Sequence, residues 1–198
     1  MDAENHTNQW TDIERLKRMD HPERERVMPH APVLDRMRLE EGMRAADVGA
    51  GLGYFTFPMA VQVRSQGHVV AVDPSPAARE ELQRRLESAA VHNVVVRDGT
   101  ASATGIGDHS VDRVLWHALF HEIPDLVEAV GEMHRILRPH GLFVVVDWRP
   151  GATEIGPGDH ERWKRQAAVD LVVNSGGFRM MEEFEPGPVT WGVVFERE

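Results

Sequence analysis

Short apolar runs alternate with amphipathic stretches over most of the chain, beginning near residue 44. The apolar runs predict buried strands at 44–48, 68–73, 93–97, 111–116 and 142–148. Between them, apolar residues at helical spacing predict helices at 54–63, 77–90 and 125–137. Buried strands that alternate with helices are typical of an α/β fold whose doubly wound sheet is built from parallel strands.

The last forty residues depart from this alternation. A helix is predicted at 160–175 and ends at Gly176 and Gly177, and two strands follow at 178–185 and 189–196. The turn Pro186–Pro188 separates these strands, and strands joined by so short a turn must be antiparallel. The whole pattern therefore predicts a Rossmann-like, seven-stranded sheet that is mostly parallel and closes with an antiparallel C-terminal hairpin.

The first residues form a separate region in this prediction. Residues 1–38 are polar and charged, and we expect short helices near 10–19 and 23–38. Pro22 and Pro32 are expected to interrupt or bound these helices. This segment is interpreted as a helical lid or extension. The remaining residues, 39–198, are expected to form a single domain.

Composition narrows the classes of function. The chain has 198 residues, 32 acidic and 22 basic, so its formal charge is −10, which disfavours a nucleic-acid partner held through its phosphates. The absence of Cys excludes disulfides, thiolate nucleophiles and Cys-based metal centres. No signal-like or membrane-length apolar run is present, so we expect a cytoplasmic protein without a membrane partner.

A glycine cluster lies between the first predicted strand, 44–48, and the helix predicted at 54–63, and it is the most informative motif of the chain. The segment Asp47–Tyr54 reads DVGAGLGY. A dinucleotide-binding GxGxxG that starts at Gly49 would need glycine where Tyr54 stands, so this fingerprint fails. A carboxylate at Asp47 also suits a cationic ligand better than a pyrophosphate.

The pattern D-x-G-x-G-x-G resembles the class I S-adenosylmethionine-dependent methyltransferases. Three further segments match that family in order and spacing: Val70–Asp73, Val96–Ala101 and His134–Leu142, the last with His140 where the family has glycine. The resemblance extends over residues 35–196 and is to the small type 11 group, related to the ubiquinone and menaquinone C-methyltransferases. It implies methyl transfer from S-adenosylmethionine to a small-molecule acceptor by in-line displacement, with S-adenosylhomocysteine as product.

The resemblance also assigns cofactor-binding positions. It implies that Asp73 accepts hydrogen bonds from the ribose hydroxyls, that Pro74 packs on adenine, and that Asp98 holds the adenine amino group. The full set is Asp47, Gly49, Gly51, Gly53, Tyr54, Asp73, Pro74, Asp98, Gly99, Thr100, Trp116 and His117.

Candidate catalytic residues cluster where the fourth and fifth strands end. His121 is the first choice for a general base, because imidazole titrates near physiological pH, and Glu122, His117 and Asp147 are further candidates. His117 and His121 are four residues apart, which a helical turn would place on one face, so a metal pair is an alternative. Their pattern matches neither H-E-x-x-H nor H-x-x-E-H, and we predict no metal site.

Two other functions remain open from the sequence. One is a nicotinamide-dependent oxidoreductase on a similar sheet, and the other is a protein that binds S-adenosylmethionine without catalysis. The acceptor, its reacting atom and the oligomeric state, monomer or homodimer, do not follow from the residues.

Overall fold

The computed structural model describes residues 24–151 and 156–198, and its strands form one sheet. They are β1 Arg44–Val48, β2 His68–Asp73, β3 Val94–Asp98, β4 Val111–His117, β5 Leu137–Trp148, β6 Phe178–Phe184 and β7 Thr190–Arg197. Their order is β3-β2-β1-β4-β5-β7-β6. The first five are parallel, and β7 runs antiparallel to both β5 and β6. The predicted seven-stranded sheet and its antiparallel hairpin are confirmed.

Helices cover both faces of this sheet. They are α1 Arg24–Val27, α2 His30–Met37, α3 Thr56–Val63, α4 Pro76–Ser88, α5 Leu126–Ile136 and α6 Arg165–Asn174, with 3-10 turns at Phe120–Glu122 and Asp159–Glu161. The buried residues of α5 and α6 pack in one core cluster with alternate residues of the strands. The buried residues of α2 and α3 pack on the opposite face of the sheet, against the other strand residues, which alternate with the first set.

Side-chain caps explain where the two longest helices of the described residues, α4 and α5, begin. The side chain of Ser75 accepts a hydrogen bond from the backbone N–H of Ala78, and Pro76 occupies the first turn of α4. Asp125 caps α5 in the same way through the N–H of Glu128. The buried face of α5 consists of Leu126, Ala129, Val130, Met133 and Ile136, whereas the apolar residue Val127 is 62% exposed.

Two predicted helices are interrupted. The helix predicted at 160–175 is a 3-10 turn followed by α6, because the backbone between them is held by other parts of the chain. Trp191 donates to the carbonyl of Trp163, and the Arg162 guanidinium donates to two loop carbonyls. The helix predicted at 23–38 is divided into α1 and α2 at Pro29, since a proline disfavours helical backbone in the residue before it.

Part of the prediction falls outside the described residues. The helix expected near 10–19 and most of the extension 1–38 lie there, as do residues 152–155 of the loop after β5. Within the described part of the chain, no helix has the length and apolar character needed to cross a bilayer.

Candidate functional site

A cavity of about 460 Å³ lies at the carboxyl ends of β1, β2, β3 and β4. This is the edge of an open α/β sheet where ligands bind. Its described lining residues come from the ends of β2 and β4, from the loops that follow the four strands, from α1 and from the start of α5: Arg24, Gly49–Leu52, Asp73–Ser75, Gly99–Ser102, His117–Leu119, Glu122–Asp125 and Glu128.

The glycines after β1 have different tasks. Gly51 has φ +54°, and no atom of the described residues lies within 4 Å of the position where a Cβ would stand. A ligand can therefore approach its backbone closely. At Gly53, with φ +92°, a Cβ would lie 2.6 Å from Leu82 and 2.9 Å from Phe57, so this glycine permits close packing of the loop on α3 and α4.

Asp73 fixes the glycine loop from the end of β2. One carboxylate oxygen accepts from the N–H of Gly51 at 2.8 Å, and the other accepts from the N–H of Ser75 at 2.9 Å. Burial raises the pKa of Asp73, and these two hydrogen bonds oppose the rise. Because each carboxylate oxygen has a second lone pair, Asp73 keeps acceptor capacity toward the cavity, which it lines.

At the end of β3, the residues expected to hold a ligand lie at different depths. Gly99 and Thr100 line the cavity, and Thr100 forms an isolated bridge with Ala103. The side chain of Asp98 is 75% exposed, and its carboxylate pairs with Arg79 at 2.8 Å. Asp98 is thus directed to α4.

Three other predicted cofactor residues support the cavity wall. Asp47 is buried and accepts a hydrogen bond from the Thr56 hydroxyl at 2.6 Å. Burial raises its pKa to about 6, against the effect of that hydrogen bond. Trp116 lies fully buried in the core against Phe143, with ring centroids 4.7 Å apart. The hydroxyl of Tyr54 lies 2.9 Å from the carbonyl of Met28, which ties the glycine loop to the N-terminal segment.

His117 lines the cavity at the end of β4 as a neutral imidazole. Burial lowers its pKa well below the ordinary value, and the nearby Arg24 and His30 lower it further. The Arg24 guanidinium lies 3.4 Å from Nδ1 and can only donate, so the ring proton belongs on Nε2. That Nε2 has no hydrogen-bond partner among the described residues.

His121 contacts two carboxylates. Its Nδ1 lies 2.9 and 3.1 Å from the oxygens of Asp147, and its Nε2 lies 3.4 Å from Glu122. Although burial alone lowers the pKa of His121, the two carboxylates raise it to about 10. His121 and Asp147 form the buried part of this cluster, and Glu122 lies on the cavity wall.

The pair expected from the spacing of His117 and His121 does not share a partner. His117 ends β4 beside Arg24, whereas His121 lies on the following 3-10 turn beside Asp147. Among the residues that the structure describes, no group of three or more His, Asp or Glu side chains is arranged to hold a metal ion.

Several lining residues were missed by sequence reasoning. Leu119, Ile123 and Pro124 give the cavity an apolar wall beside Glu122. In sequence they lie between or just after the candidate catalytic residues of the loop. They could have been predicted from their position in the loop after a central parallel strand, because such loops line the ligand site of an open α/β sheet. Arg24 lies 93 residues from His117 in sequence, and no pattern connects the two.

Comparisons with known proteins identify the family. A family model described as a methyltransferase domain, of type 11, matches residues 46–145, just over half of the chain. Curated relatives include the demethylmenaquinone methyltransferase of Listeria welshimeri, 29% identical over 111 residues, which are 56% of this chain and 47% of that protein. The enzyme of the same name from Staphylococcus epidermidis is 30% identical over 115 residues, or 58% and 47% of the two chains. The chain thus spans about half the length of the curated relatives it matches.

Solved structures agree with this assignment at the level of fold. A SAM-dependent methyltransferase from Aquifex aeolicus superposes with a TM-score of 0.87 at 24% identity, over 94% of this chain and 99% of that one. A putative type 11 methyltransferase from Sulfolobus solfataricus gives 0.66 at 24% identity, over 78% and 83%. By its matched domain, its strand order and its glycine loop, this chain belongs to the class I S-adenosylmethionine-dependent methyltransferases of type 11.

Proposed function

We propose that the chain binds S-adenosylmethionine in the cavity and transfers its methyl group to a small-molecule acceptor. The observation that carries the proposal is the cradle made by Gly51 and Asp73. A loop whose backbone is open to a ligand is fixed by a carboxylate that still has lone pairs to offer. The cavity volume of about 460 Å³ is within the range of small-molecule sites.

The residues around the cradle fit the parts of this cofactor. Asp73 would accept from the ribose hydroxyls, and Pro74 with Gly99–Ser102 would enclose the adenine. The backbone of Gly49–Leu52 and the ring of His117 would border the methionine part. When bound, the cofactor supplies a methyl group on a positively charged sulfur, which leaves as a neutral thioether.

The acceptor would occupy the opposite end, between Leu119, Ile123 and Glu122. An apolar wall beside one carboxylate suits a small aromatic molecule with a polar substituent. The relatives named as demethylmenaquinone methyltransferases support an acceptor of the quinone type. The chain's own task in the reaction is to hold the acceptor in line with the methyl carbon and to exclude water between them.

Calorimetry with S-adenosylhomocysteine tests the cofactor assignment. We expect wild-type protein to bind, and Asp73→Asn to weaken binding about 10- to 100-fold, since a hydrogen bond to a charged group contributes about 1.5–3 kcal/mol. Glu87→Gln, an exposed position on α4, is the control and should bind as wild type. Asp98→Asn should have a smaller effect than Asp73→Asn, because Asp98 pairs with Arg79.

Three outcomes separate the candidate functions. Binding of S-adenosylhomocysteine together with methyl transfer to an acceptor supports the proposal. Binding without transfer to any acceptor in a broad panel favours a protein that only binds the cofactor. Binding of NADH in place of S-adenosylhomocysteine would reject the proposal in favour of an oxidoreductase.

A further inference from the structure

The side chains of Glu122, His121 and Asp147 form a chain that leads from the cavity into the core. Asp147 is fully buried at the end of β5 and accepts from three donors: the backbone N–H of Trp148 at 2.6 Å, the backbone N–H of His121 at 3.2 Å, and Nδ1 of His121. The side chain of His121 is 6% exposed and that of Glu122 is 21% exposed. Exposure therefore increases step by step toward the cavity.

The protons of this chain can be assigned from its geometry. Ionised carboxylates only accept hydrogen bonds, so a ring with a carboxylate at each nitrogen is satisfied only as the doubly protonated imidazolium. The raised pKa of His121, about 10, agrees with that state. An imidazolium has no lone pair with which to take a proton. His121, which the sequence analysis favoured as the general base, is therefore already protonated and cannot accept a further proton.

Glu122 is the member of the chain that lines the cavity, beside the apolar residues Leu119 and Ile123. The charged groups that act on it are the His121 cation and the carboxylates of Asp147 and Asp73, from β5 and β2. Asp125 and Glu128 line the same cavity from the start of α5, and Arg24 lines it from α1. Burial and these carboxylates raise the pKa of Glu122 to about 7, although His121 opposes the rise.

We propose that Glu122 takes a proton during methyl transfer from the quinone-type acceptor of the proposed function, which would react in its hydroquinone form. His121 and Asp147 are positioning residues in this scheme: they aim the Glu122 carboxylate into the cavity and do not touch the acceptor. The inference rests on the proposed function, because it concerns the acceptor end of the same cavity. The apolar wall would hold the aromatic ring, and Glu122 would meet its hydroxyl.

The step balances without a further reactant. The acceptor's O–H bond breaks and its proton goes to the Glu122 carboxylate, which becomes neutral. The electron pair released into the acceptor forms the new bond from its oxygen or ring carbon to the methyl carbon. The carbon–sulfur bond breaks, and its electron pair stays on sulfur and neutralises the positive charge there. Where a ring carbon is methylated, that carbon's own proton then restores the aromatic hydroxyl.

Steady-state kinetics with 1,4-naphthohydroquinone, kept under anaerobic conditions, test the acceptor half of the inference. We expect wild-type kcat to rise with pH through an inflection near 7, as Glu122 ionises. Glu122→Gln should lower kcat at least about 100-fold and remove the inflection, because general-base catalysis contributes about 10²–10⁴-fold. Its affinity for S-adenosylhomocysteine should be unchanged, and Glu87→Gln should behave as wild type throughout.

The variant His121→Gln tests whether His121 positions Glu122 or only stabilises the fold. Without the cation beside Glu122, the inflection should move to higher pH, whereas a purely structural loss would lower kcat at every pH without moving it. Long-range proton–nitrogen spectra of the histidine rings give a readout that needs no acceptor. They should show both nitrogens of His121 protonated at pH 8.

The inference is overturned by an unchanged kcat and pH profile in Glu122→Gln, or by a neutral His121 ring at pH 8. Glu122→Asp replaces the amide variant if that variant does not fold, and should keep the inflection with a lower kcat. A wild-type protein that binds S-adenosylhomocysteine but leaves the hydroquinone unmethylated rejects the acceptor class. Absence of S-adenosylhomocysteine binding in wild type rejects the proposed function itself.

Discussion

The two ends of the cavity are held in shape by different kinds of contact. At the end formed by β1 and β2, the wall is backbone: Gly51 and Ser75 present N–H groups to the Asp73 carboxylate, and the glycines let the loop turn. At the β4–β5 end, where the turn after β4 packs on the end of β5, the wall depends on side chains: Glu122 lines the cavity, and His121 lies behind it, between Glu122 and Asp147.

This difference determines how each end responds to change. Backbone donors remain whatever side chains surround them, so the β1–β2 end depends on one carboxylate and on residues small enough to let a ligand approach. The β4–β5 end is a coupled set of buried charges, in which loss of one member leaves the others unpaired. The β4–β5 end should therefore be the more fragile of the two and the more sensitive to pH.

The largest effect is expected from Asp147→Ala. This change leaves the His121 cation without its closest carboxylate in a buried place, and breaking such a pair costs about 3–5 kcal/mol. Urea unfolding measures the loss. Asp108→Ala is the matched control, because its ion pair with Arg135 is on the surface and is worth at most about 1 kcal/mol. Equal losses in the two variants would contradict the contrast drawn between buried and exposed pairs.

The second effect is a fall of stability with rising pH. The folded-state pKa of His121 is about 10, above its ordinary 6.5, so the folded protein binds this proton more tightly than the unfolded chain. The resulting stabilisation is complete below pH 6.5 and is lost as the pH rises toward 10. The free energy of unfolding, measured at pH 6.5, 8 and 9.5, should fall in wild type and change less in His121→Gln. Parallel curves for the two proteins would refute this account.

The same contrast explains what could be predicted from the sequence. The sheet and the β1–β2 end were predictable, because strand periodicity and the spacing of Gly49, Gly51 and Gly53 are local patterns. The contact between His121 and Asp147 joins residues that are 26 positions apart in sequence. Neither a histidine nor an aspartate indicates by its residue type which distant residue it will contact. The order of burial along Glu122, His121 and Asp147, from which we infer the base, exists only in the folded chain.

The contacts of two predicted cofactor residues have the same cause. Asp47 and Trp116 have the residue types and positions expected for a ligand site, but the pleat of a buried strand turns alternate side chains to opposite faces. The side chain of Asp47 thereby reaches Thr56, and that of Trp116 reaches Phe143. The break at Trp163 likewise depends on a contact, the hydrogen bond from Trp191, that no local pattern contains. The break at Pro29 is by contrast a local effect of proline.

A third test compares two alanine substitutions within the glycine loop. Gly53→Ala should cost about 2–4 kcal/mol of stability, from left-handed backbone and from overlap with Leu82 and Phe57. Gly51→Ala should cost only about 1 kcal/mol, because its Cβ meets nothing among the described residues within 4 Å. Affinity for S-adenosylhomocysteine, measured by calorimetry on folded protein, should fall more in Gly51→Ala than in Gly53→Ala, which is the reverse of the order in stability. The same ranking in both measurements would argue against ligand approach at Gly51.

The smallest effect concerns the support beneath that loop. Thr56→Val removes the hydroxyl that donates to the buried Asp47 carboxylate, and should cost about 1–2 kcal/mol at pH 7. Because burial raises the pKa of Asp47 to about 6, above its ordinary 3.8, the folded state favours the neutral carboxyl. Stability from this group is thus highest at low pH and is lost as the pH rises through 6. The variant's deficit should shrink at pH 5, where Asp47 is mostly protonated and no longer an unpaired buried charge. Thermal melts of both proteins at pH 5 and pH 7 measure this, and a deficit that stays constant would show that the Thr56 hydroxyl does not support a charged Asp47.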